Sequence, residues 1–280
     1  MKKTYLLLLL QFICFYALSQ TENQQINNRS LDKKILDKAI LNVTYRQTSV
    51  SDVANPEKKK ENIMLLEIGK NVSKYYDQQQ YMADSLRAAH VKQKMNSDKS
   101  SKIIVPLLHG SIAENVFKNF PKNKITITDR IPFNTYQYEE DFVSPDWKLV
   151  GGSCTLCGYE CKKALTTYRG RNYIAWYAPE ITLSDGPWKF SGLPGLILKI
   201  EDEQKHYFFE CIGIEQPKDK NIFFSLAYRY IHTTKEKFQK ANQEFHKNPG
   251  AHMANSGLVQ SEMPAHTYKE HPYNPIERSE

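Results

Sequence analysis

Hydrophobic and polar residues alternate over short stretches along most of the chain, a pattern typical of half-buried β-strands. The alternation is clear in "KITITDR" (Lys124–Arg130). It recurs from Tyr159 to Ile214, where short apolar runs are separated by turn residues. Strands with this spacing predict an antiparallel meander. Nearer the start, Ala39–Val50 and "IMLLEIGKNVSKYYDQQ" (63–79) flank a turn-rich segment, which predicts a long hairpin whose second part is one strand or two joined at Gly69.

Two segments have the spacing of helices instead. Gln80–Met95 contains few β-branched residues and places its apolar residues three or four apart. The segment "TTKEKFQKANQEFHKN" (233–248) predicts a second helix, in which Thr233 caps the first turn and Glu236 completes a capping box. "IIVPLLHGSIAENVFKNF" (103–120) is ambiguous because Pro106 and Gly110 interrupt it. "IFFSLAYRYIH" (222–232) predicts the last strand.

These elements predict a mainly β fold of the β-rich α+β kind. We expect a curved antiparallel sheet or an open barrel with about two helices. The composition agrees, since 17 Tyr and 13 Phe against 3 Trp favour the pleated, half-buried surfaces of sheets.

The chain divides into four parts by composition. Residues 1–19 predict a cleaved signal peptide, because two lysines precede an apolar run and a small-residue cleavage site. A membrane anchor, or a lipid on Cys14, is the competing interpretation. Residues 20–38 are a polar lead-in, 39–248 a single β-rich domain, and 249–280 a C-terminal tail or a segment that wraps the sheet.

The distribution of charged residues and the predicted export of the chain exclude some classes of function. Removal of residues 1–19 takes the formal net charge from +7 to +5. The remaining basic residues are interspersed with acids, which is not the pattern of a nucleic-acid-binding surface. No later segment has the length and apolar content of a transmembrane helix. The sequence therefore predicts an exported protein that is periplasmic or associated with the outer membrane.

The densest group of Gly and Pro lies in "SDGPWKFSGLPGLILKIED" (184–202). Asp185-Gly186-Pro187 predicts a tight turn, because Gly tolerates positive φ, and Leu193-Pro194-Gly195 predicts a type II turn that requires positive φ at Gly195. A phosphate-binding loop would lead into a helix, whereas an alternating strand with Leu196, Leu198 and Ile200 on one face follows here. A structural turn is favoured. A ligand or partner site in this motif would use Trp188, Phe190, Gly192, Leu193, Pro194 and Gly195.

This motif resembles the signature of the GLPGLI family of secreted proteins from Gram-negative bacteria, named for the residues at Gly192–Ile197. Four more segments also resemble family segments: "LEIGKNVSKYYD" (66–77), "GYECKKA" (158–164), "RNYIAWYAPEI" (171–181) and "YNPIE" (273–277). The resemblance implies an exported, β-rich protein and no particular reaction. In the family segment the cysteine that matches Cys161 stands alone, so Cys154 and Cys157 depart from it.

Four cysteines follow the signal peptide: Cys154, Cys157, Cys161 and Cys211. An even number in an oxidising compartment favours disulfides, and four allow three pairings. We predict a Cys161–Cys211 disulfide, with Cys154 and Cys157 paired with each other or free. The spacing C-x2-C-x3-C is also compatible with zinc, although exported proteins rarely keep reduced thiolate clusters.

No known catalytic motif occurs in the sequence, and no cofactor or metal is predicted. The leading hypothesis is a non-enzymatic envelope protein that binds an apolar ligand or an outer-membrane protein partner. The first alternative is a secreted hydrolase, or a thiol-redox enzyme that uses Cys154 and Cys157. The second is a carbohydrate-binding module that uses Trp147, Trp176 and Trp188.

Overall fold

A computed structural model describes residues 33–226, 228–255 and 269–278 of the chain. The predicted signal peptide and most of the polar lead-in lie outside the described residues. The described chain forms one large curved sheet of thirteen strands that stays open and does not close into a barrel. The expectation of a mainly β fold with a curved antiparallel sheet is confirmed.

Most strands are short, and one long strand near the start of the described chain is the exception. The strands are β1 (Lys33–Val50), β2 (Lys59–Gly69), β3 (Ser73–Asp77), β4 (Asn115–Lys118), β5 (Lys124–Ile131), β6 (Asn134–Asp141), β7 (Lys148–Leu156), β8 (Tyr159–Tyr168), β9 (Arg171–Ala178), β10 (Leu196–Asp202), β11 (Tyr207–Glu215), β12 (Asn221–Ser225) and β13 (Tyr230–His232).

The strand order is β13-β6-β5-β4-β3-β2-β1-β11-β10-β9-β8-β7, with β12 paired to the first part of β1. All pairs are antiparallel except β13 with β6. Strands β8 to β11 correspond to the predicted meander, which β7 extends by one strand, and β1 with β2 forms the predicted hairpin. The sheet consists of two such series of neighbours, and the pairing of β1 with β11 joins them.

The described residues contain four helices, two more than expected from the sequence. They are α1 (Gln78–Lys92), α2 (Ser97–Leu108), α3 (Lys235–Lys247) and α4 (Pro249–Asn255). The two predicted helices correspond to α1 and α3. The cap of α3 is Thr234, whose side chain accepts from the Lys237 amide, and not Thr233 as predicted.

Three boundaries differ from the sequence interpretation. β1 begins at Lys33, inside the expected lead-in, because its first residues pair with β12. The ambiguous segment 103–120 begins in α2, which continues through Pro106 to Leu108. The predicted last strand, 222–232, belongs to two strands that pair with different partners, β12 with β1 and β13 with β6.

One face of the sheet is covered by the connection between β9 and β10, residues 179–195. At its centre lies Phe190, whose side chain is fully buried. Its ring contacts those of Tyr173 (4.8 Å between centroids), Trp188 (5.3 Å) and Tyr168 (5.8 Å). The apolar interior here is therefore filled by the chain's own aromatic side chains.

Candidate functional site

The Gly- and Pro-rich motif is held by a buried lysine from a distant strand. Lys118 of β4 has a side chain that is 2% exposed, and it forms an ion pair with Asp185. Its ammonium group also donates to the carbonyl oxygens of Gly186 (2.6 Å) and Phe190 (3.2 Å). Burial lowers the pKa of Lys118, while Asp185 opposes that shift. The turn is thus fixed by three oxygen acceptors around one cation.

The turn at Leu193-Pro194-Gly195 is not the predicted type II turn. The amide of Gly195 donates to Leu193 O at 2.8 Å, which closes a three-residue turn around Pro194. The amide of Leu196 donates to Ile181 O instead. The predicted positive φ of Gly195 is confirmed, at +149°, and a Cβ there would lie 2.3 Å from Ala178 O.

Gly186 serves a different purpose from the one predicted. Its φ is not positive, and a Cβ on it would lie 2.9 Å from the side chain of Ile197. The positive φ falls on Trp188 instead, at +51°, a rare value for an aromatic residue. Ile197 is also fully buried, so the two faces of β10 are both apolar at its start, unlike the single apolar face expected.

The six candidate residues of this motif have different environments. Leu193 and Gly195 are buried alongside Phe190, while Gly192 and Pro194 are exposed. Trp188 is 2% exposed and contributes to the wall of a cleft described below. The aromatic and glycine residues therefore do not form one shared surface.

The other tryptophans lie outside that cleft. Trp147 donates to Ser191 O at 2.7 Å and packs against Phe190, and Trp176 lies under the ammonium group of Lys163. The three tryptophans proposed for a carbohydrate-binding module are therefore not brought together.

A buried arginine attaches the C-terminal segment 269–278 to the sheet. Arg171 of β9 pairs with Asp202 of β10 at 2.9 Å, and both side chains are 1% exposed. Its remaining donors reach Asn274 Oδ1, Pro275 O and Ile276 O at 2.7 to 3.0 Å. Every nitrogen of this guanidinium group is hydrogen-bonded, so the buried charge is fully compensated.

Next to Arg171 lies a second group of charges. Lys189, fully buried, pairs with Glu140 and Glu277 at 2.8 Å each. Arg169 and Lys235 pair with the same two carboxylates. Burial alone would raise the pKa of Glu277, but these cations lower it overall. We call Arg171, Asp202 and these five charged residues the clamp.

Between the clamp, α3 and the end of the β1–β2 hairpin lies a cleft of about 710 Å³. One part of its lining is aromatic: Tyr138, Trp188, Tyr207, Phe238 and Tyr273. A second part is neutral and polar: Gln47, Asn62, Ser111, Gln239, Asn242 and Asn274. A mixed lining of this kind is typical of sites for small molecules that are held by both stacking and hydrogen bonds.

Two carboxyl groups face each other in the cleft wall. Asn115 of β4 pairs with Thr128 of β5, so Glu114 and Asp129 occupy the next opposed position. Asp129 accepts from the Arg130 amide at 2.7 Å. The Glu114 carboxyl group receives no hydrogen bond or ion pair from any other described residue. Like charges opposed across two strands repel each other, so this arrangement does not stabilise the fold.

The pKa values of both carboxyl groups are raised, that of Glu114 more than that of Asp129. Removal from water and then the charge of Asp129 raise the pKa of Glu114 to about 8. Removal from water raises the pKa of Asp129 to about 6, against the Arg130 amide and charge. Two carboxyl groups that interact titrate as a pair, so over part of this pH range the pair shares one proton and offers both a donor and an acceptor.

Two further polar atoms of the cleft residues lack partners among the described residues. They are Trp188 Nε1 and His246 Nδ1, both buried. Burial and the neighbouring His271 lower the pKa of His246. Sequence reasoning missed Glu114 and Asp129, because neither belongs to a motif and their opposition depends on the register of β4.

The four cysteines are grouped at the tip of the β7–β8 hairpin and on β11, and no two lie at disulfide distance. Cys211 Sγ lies 3.3 Å from Cys157 Sγ, whereas Cys161 is paired in register with Cys154. The predicted Cys161–Cys211 disulfide is therefore not shown. Among the described residues, no group of three or more His, Cys, Asp or Glu is arranged to hold a metal ion.

No helix within the described ranges combines the length and apolar content needed to cross a bilayer. A family model described as "Protein of unknown function (Porph_ging)" matches residues 162–199, a stretch that contains the Gly- and Pro-rich motif. The expected resemblance is thereby shown in a coarser form, as similarity to a related family of unknown function, and the GLPGLI name is not confirmed.

The comparison with curated proteins gives no match. Two solved structures, of PNGF-II in space groups P21 and C2, are similar to 73% of the chain with TM-scores of 0.49 and 0.48. The sequence identities are 13% and 15%. The chain spans about a third of the length of these proteins, 33% and 32%.

Proposed function

We propose that this chain is an exported, non-enzymatic binding protein that holds a neutral, hydroxyl-rich ligand, such as a saccharide, in the cleft. The observation that carries the proposal is the Glu114 carboxyl group, which lines the cleft without a partner among the described residues. The Glu114 side chain is partly exposed in the cleft, so a ligand that covers it would take it out of water and must hydrogen-bond to it in order to bind well. A ligand in the cleft would supply the missing partner.

The protonation of the carboxyl pair supports a neutral ligand. Because burial raises the pKa of both Glu114 and Asp129, the pair can hold one shared proton, and one oxygen then donates while another accepts. A hydroxyl group can accept from the first and donate to the second. The amide side chains of the lining add further donors and acceptors, and the aromatic rings offer flat apolar surfaces.

The apolar ligand expected from the sequence is less well supported. Phe190 and its aromatic neighbours occupy the apolar interior, and an apolar molecule in the cleft would leave the carboxyl pair without hydrogen bonds. An outer-membrane protein partner and the exported location stay part of the proposal, the latter resting on residues 1–19.

Thermal-shift measurements test the proposal with a panel of neutral mono- and disaccharides, with palmitate as the apolar probe and an alkylamine as the cationic probe. We expect at least one saccharide to raise the melting temperature of the chain. Glu114→Ala should remove that increase, while Glu139→Ala, an exposed position on β6, should keep it. A response to palmitate alone, or to the alkylamine alone, would contradict the proposal.

The same carboxyl pair favours a hydrolase as the second candidate. Pairs of carboxyl groups with separated pKa values serve as general acid and general base in hydrolytic enzymes. Glu114 would be the acid and Asp129 the base. We therefore expect that an enzyme of this kind would release aryl alcohol from an aryl glycoside of the saccharide that binds.

Glu114→Gln separates the two candidates. A binding protein loses affinity modestly, because glutamine keeps a donor in the same place, and neither form releases product. A hydrolase loses turnover by orders of magnitude while keeping its affinity. Product release from an aryl glycoside by the unaltered chain, absent in Glu114→Gln, would replace the binding function with the hydrolase.

A further inference from the structure

We propose that Cys157 and Cys211 form a disulfide bond, which joins the tip of the β7–β8 hairpin to β11. The two sulfur atoms already lie 3.3 Å apart, and Cys157 Sγ is also 3.2 Å from Cys211 O. The pairing differs from the one expected from the sequence, since Cys161 is not a partner.

The backbone at the hairpin tip places Cys157 in this position. Cys157 and Gly158 form a two-residue turn with φ of +49° and +83°, between the paired residues Leu156 and Tyr159. Turns of this type favour Asn or Asp before Gly, because the first position requires positive φ. A cysteine there has an unfavourable backbone conformation, and observed strain of this kind points to a specific role.

The surroundings of the two thiols determine which of them reacts with an oxidant first. Cys157 is exposed, whereas Cys211 is 4% exposed. Burial, followed by the hydrogen bond from Cys157, raises the pKa of Cys211. Cys157 is therefore the thiol that meets an external oxidant first, and Cys211 is the thiol that resolves the intermediate.

The reaction is a thiol–disulfide exchange with a low-molecular-weight disulfide such as glutathione disulfide. The Cys157 thiolate attacks one glutathione sulfur, breaks its S–S bond and releases one glutathione thiolate, which takes up a proton. The Cys211 sulfur, as its proton leaves, then attacks Cys157 Sγ and releases the second glutathione. The two cysteines lose two electrons and two protons in total, and glutathione disulfide becomes two glutathione molecules.

The remaining cysteines stay reduced in this scheme. Cys161 is buried, and its thiol donates to Tyr159 O at 3.6 Å. Burial, and then the nearby Cys154, raise the pKa of Cys161 to about 11, so its thiolate is scarce at neutral pH. Cys154 is opposite Cys161 in the hairpin and has no sulfur contact with Cys211.

Peptide mapping after incubation with glutathione disulfide tests the proposal. The purified chain is alkylated under denaturing conditions without reduction and digested with trypsin. We expect peptides 149–162 and 206–218 to be joined, with a mass lower by two hydrogen atoms than their sum, and fragmentation to place the link at Cys157. A link at Cys154 or Cys161, or no link between these peptides, would overturn the proposal.

Three single variants provide matched controls. Cys157→Ser should abolish the link, whereas Cys154→Ser and Cys161→Ser should keep it. The oxidised chain should melt a few degrees above the reduced chain, and Cys157→Ser should show no such difference. Persistence of the link in Cys157→Ser, or its loss in Cys161→Ser, would contradict the pairing. Mapping of the unaltered chain decides the matter even where a variant folds poorly.

Discussion

The clamp and the wall of the cleft are adjacent, and both contain ionisable side chains, which are mostly buried in the clamp and partly exposed in the cleft wall. In the clamp, Arg171 and Lys189 have opposite charges or carbonyl oxygens around them on every side. In the cleft wall, Glu114 and Asp129 oppose each other, and Glu114 has no partner among the described residues. Charged groups whose hydrogen bonds and ion pairs are all made within the chain hold the chain in place. Carboxyl groups that lack such partners can form hydrogen bonds to a ligand instead.

The comparison predicts opposite effects of removing charge from the two regions. The largest loss of stability should follow Arg171→Ala, which leaves Asp202 as an unpaired charge that is 1% exposed. Loss of one partner of a buried pair costs about 3–5 kcal/mol of unfolding free energy. Urea denaturation measures it.

The control for Arg171→Ala is Arg46→Ala. Arg46 pairs with Glu61 at 3.4 Å, with side chains 44% and 60% exposed, so removal of its charge should change stability by less than about 1 kcal/mol. Equal losses in the two variants would mean that the burial of the clamp does not determine its contribution.

The connection between β9 and β10, which contains both Gly195 and the clamp residue Lys189, is next in expected effect. Gly195→Val should destabilise the fold by about 3 kcal/mol, because its φ of +149° disfavours a β-branched residue and the new Cβ would meet the Ala178 carbonyl oxygen. Gly213→Ala is the control, since its Cβ would lie 3.9 Å from Thr44. An unchanged midpoint for Gly195→Val in urea denaturation would mean that the turn tolerates a side chain.

In the cleft wall, we expect replacement of an ionisable carboxyl group by a neutral side chain to leave the free energy of unfolding unchanged or to raise it, depending on pH. The pKa of Glu114 is raised from 4.5 to about 8 in the folded chain, so folding favours its protonated form. Stability should therefore fall as pH rises from 4.5 to about 8. The shift corresponds to at most about 5 kcal/mol. The partial exposure of the Glu114 side chain reduces this to an amount on the order of 2 kcal/mol.

Glu114→Gln should remove most of that decrease, because the glutamine side chain does not ionise in this pH range. Urea denaturation at both ends of this pH range measures the difference between the variant and the unaltered chain. Glu139→Gln, at an exposed position of β6, should leave the slope unchanged. A slope that survives in Glu114→Gln would assign the effect to another group.

The smallest effect concerns Tyr207, which lies in both regions. It lines the cleft and donates to Asn274 O at 2.5 Å, so it helps to hold the C-terminal segment. Tyr207→Phe removes that hydrogen bond and should cost about 1 kcal/mol in the same assay. A loss as large as that of Arg171→Ala would mean that Tyr207 is a full member of the clamp.

The sequence was most informative where local pattern decides structure. The alternation in Lys124–Ile131 and the turn residues between Tyr159 and Glu215 correspond to strands whose neighbours in the chain are neighbours in the sheet. The positive φ of Gly195 followed from the same local reasoning. Helix α2 was missed because it contains Pro106 and β-branched residues, which disfavour a helix in isolation.

The cleft could not be predicted, for a physical reason. Glu114 and Asp129 lie in ordinary polar contexts, and only the register between β4 and β5 opposes them. The clamp joins Arg171 to residues more than a hundred positions later in the chain. Contacts of this range depend on the complete fold, so no periodicity or spacing in the sequence reveals them.

The pairing of β1 with β11 has a consequence for the rate of folding. Most strands within each half pair with strands that are close in sequence, and β13 with β6 and β12 with β1 are the exceptions. The pairing of β1 with β11 joins the two halves through residues such as Asn42 and Glu215, 173 positions apart. Contacts between distant positions form slowly, because the intervening chain must lose conformational entropy before they add any stability. We therefore expect each half to gain structure early and the closure of β1 onto β11 to limit the rate. Substitutions along that pairing should slow refolding more than equally destabilising substitutions within β8 or β9.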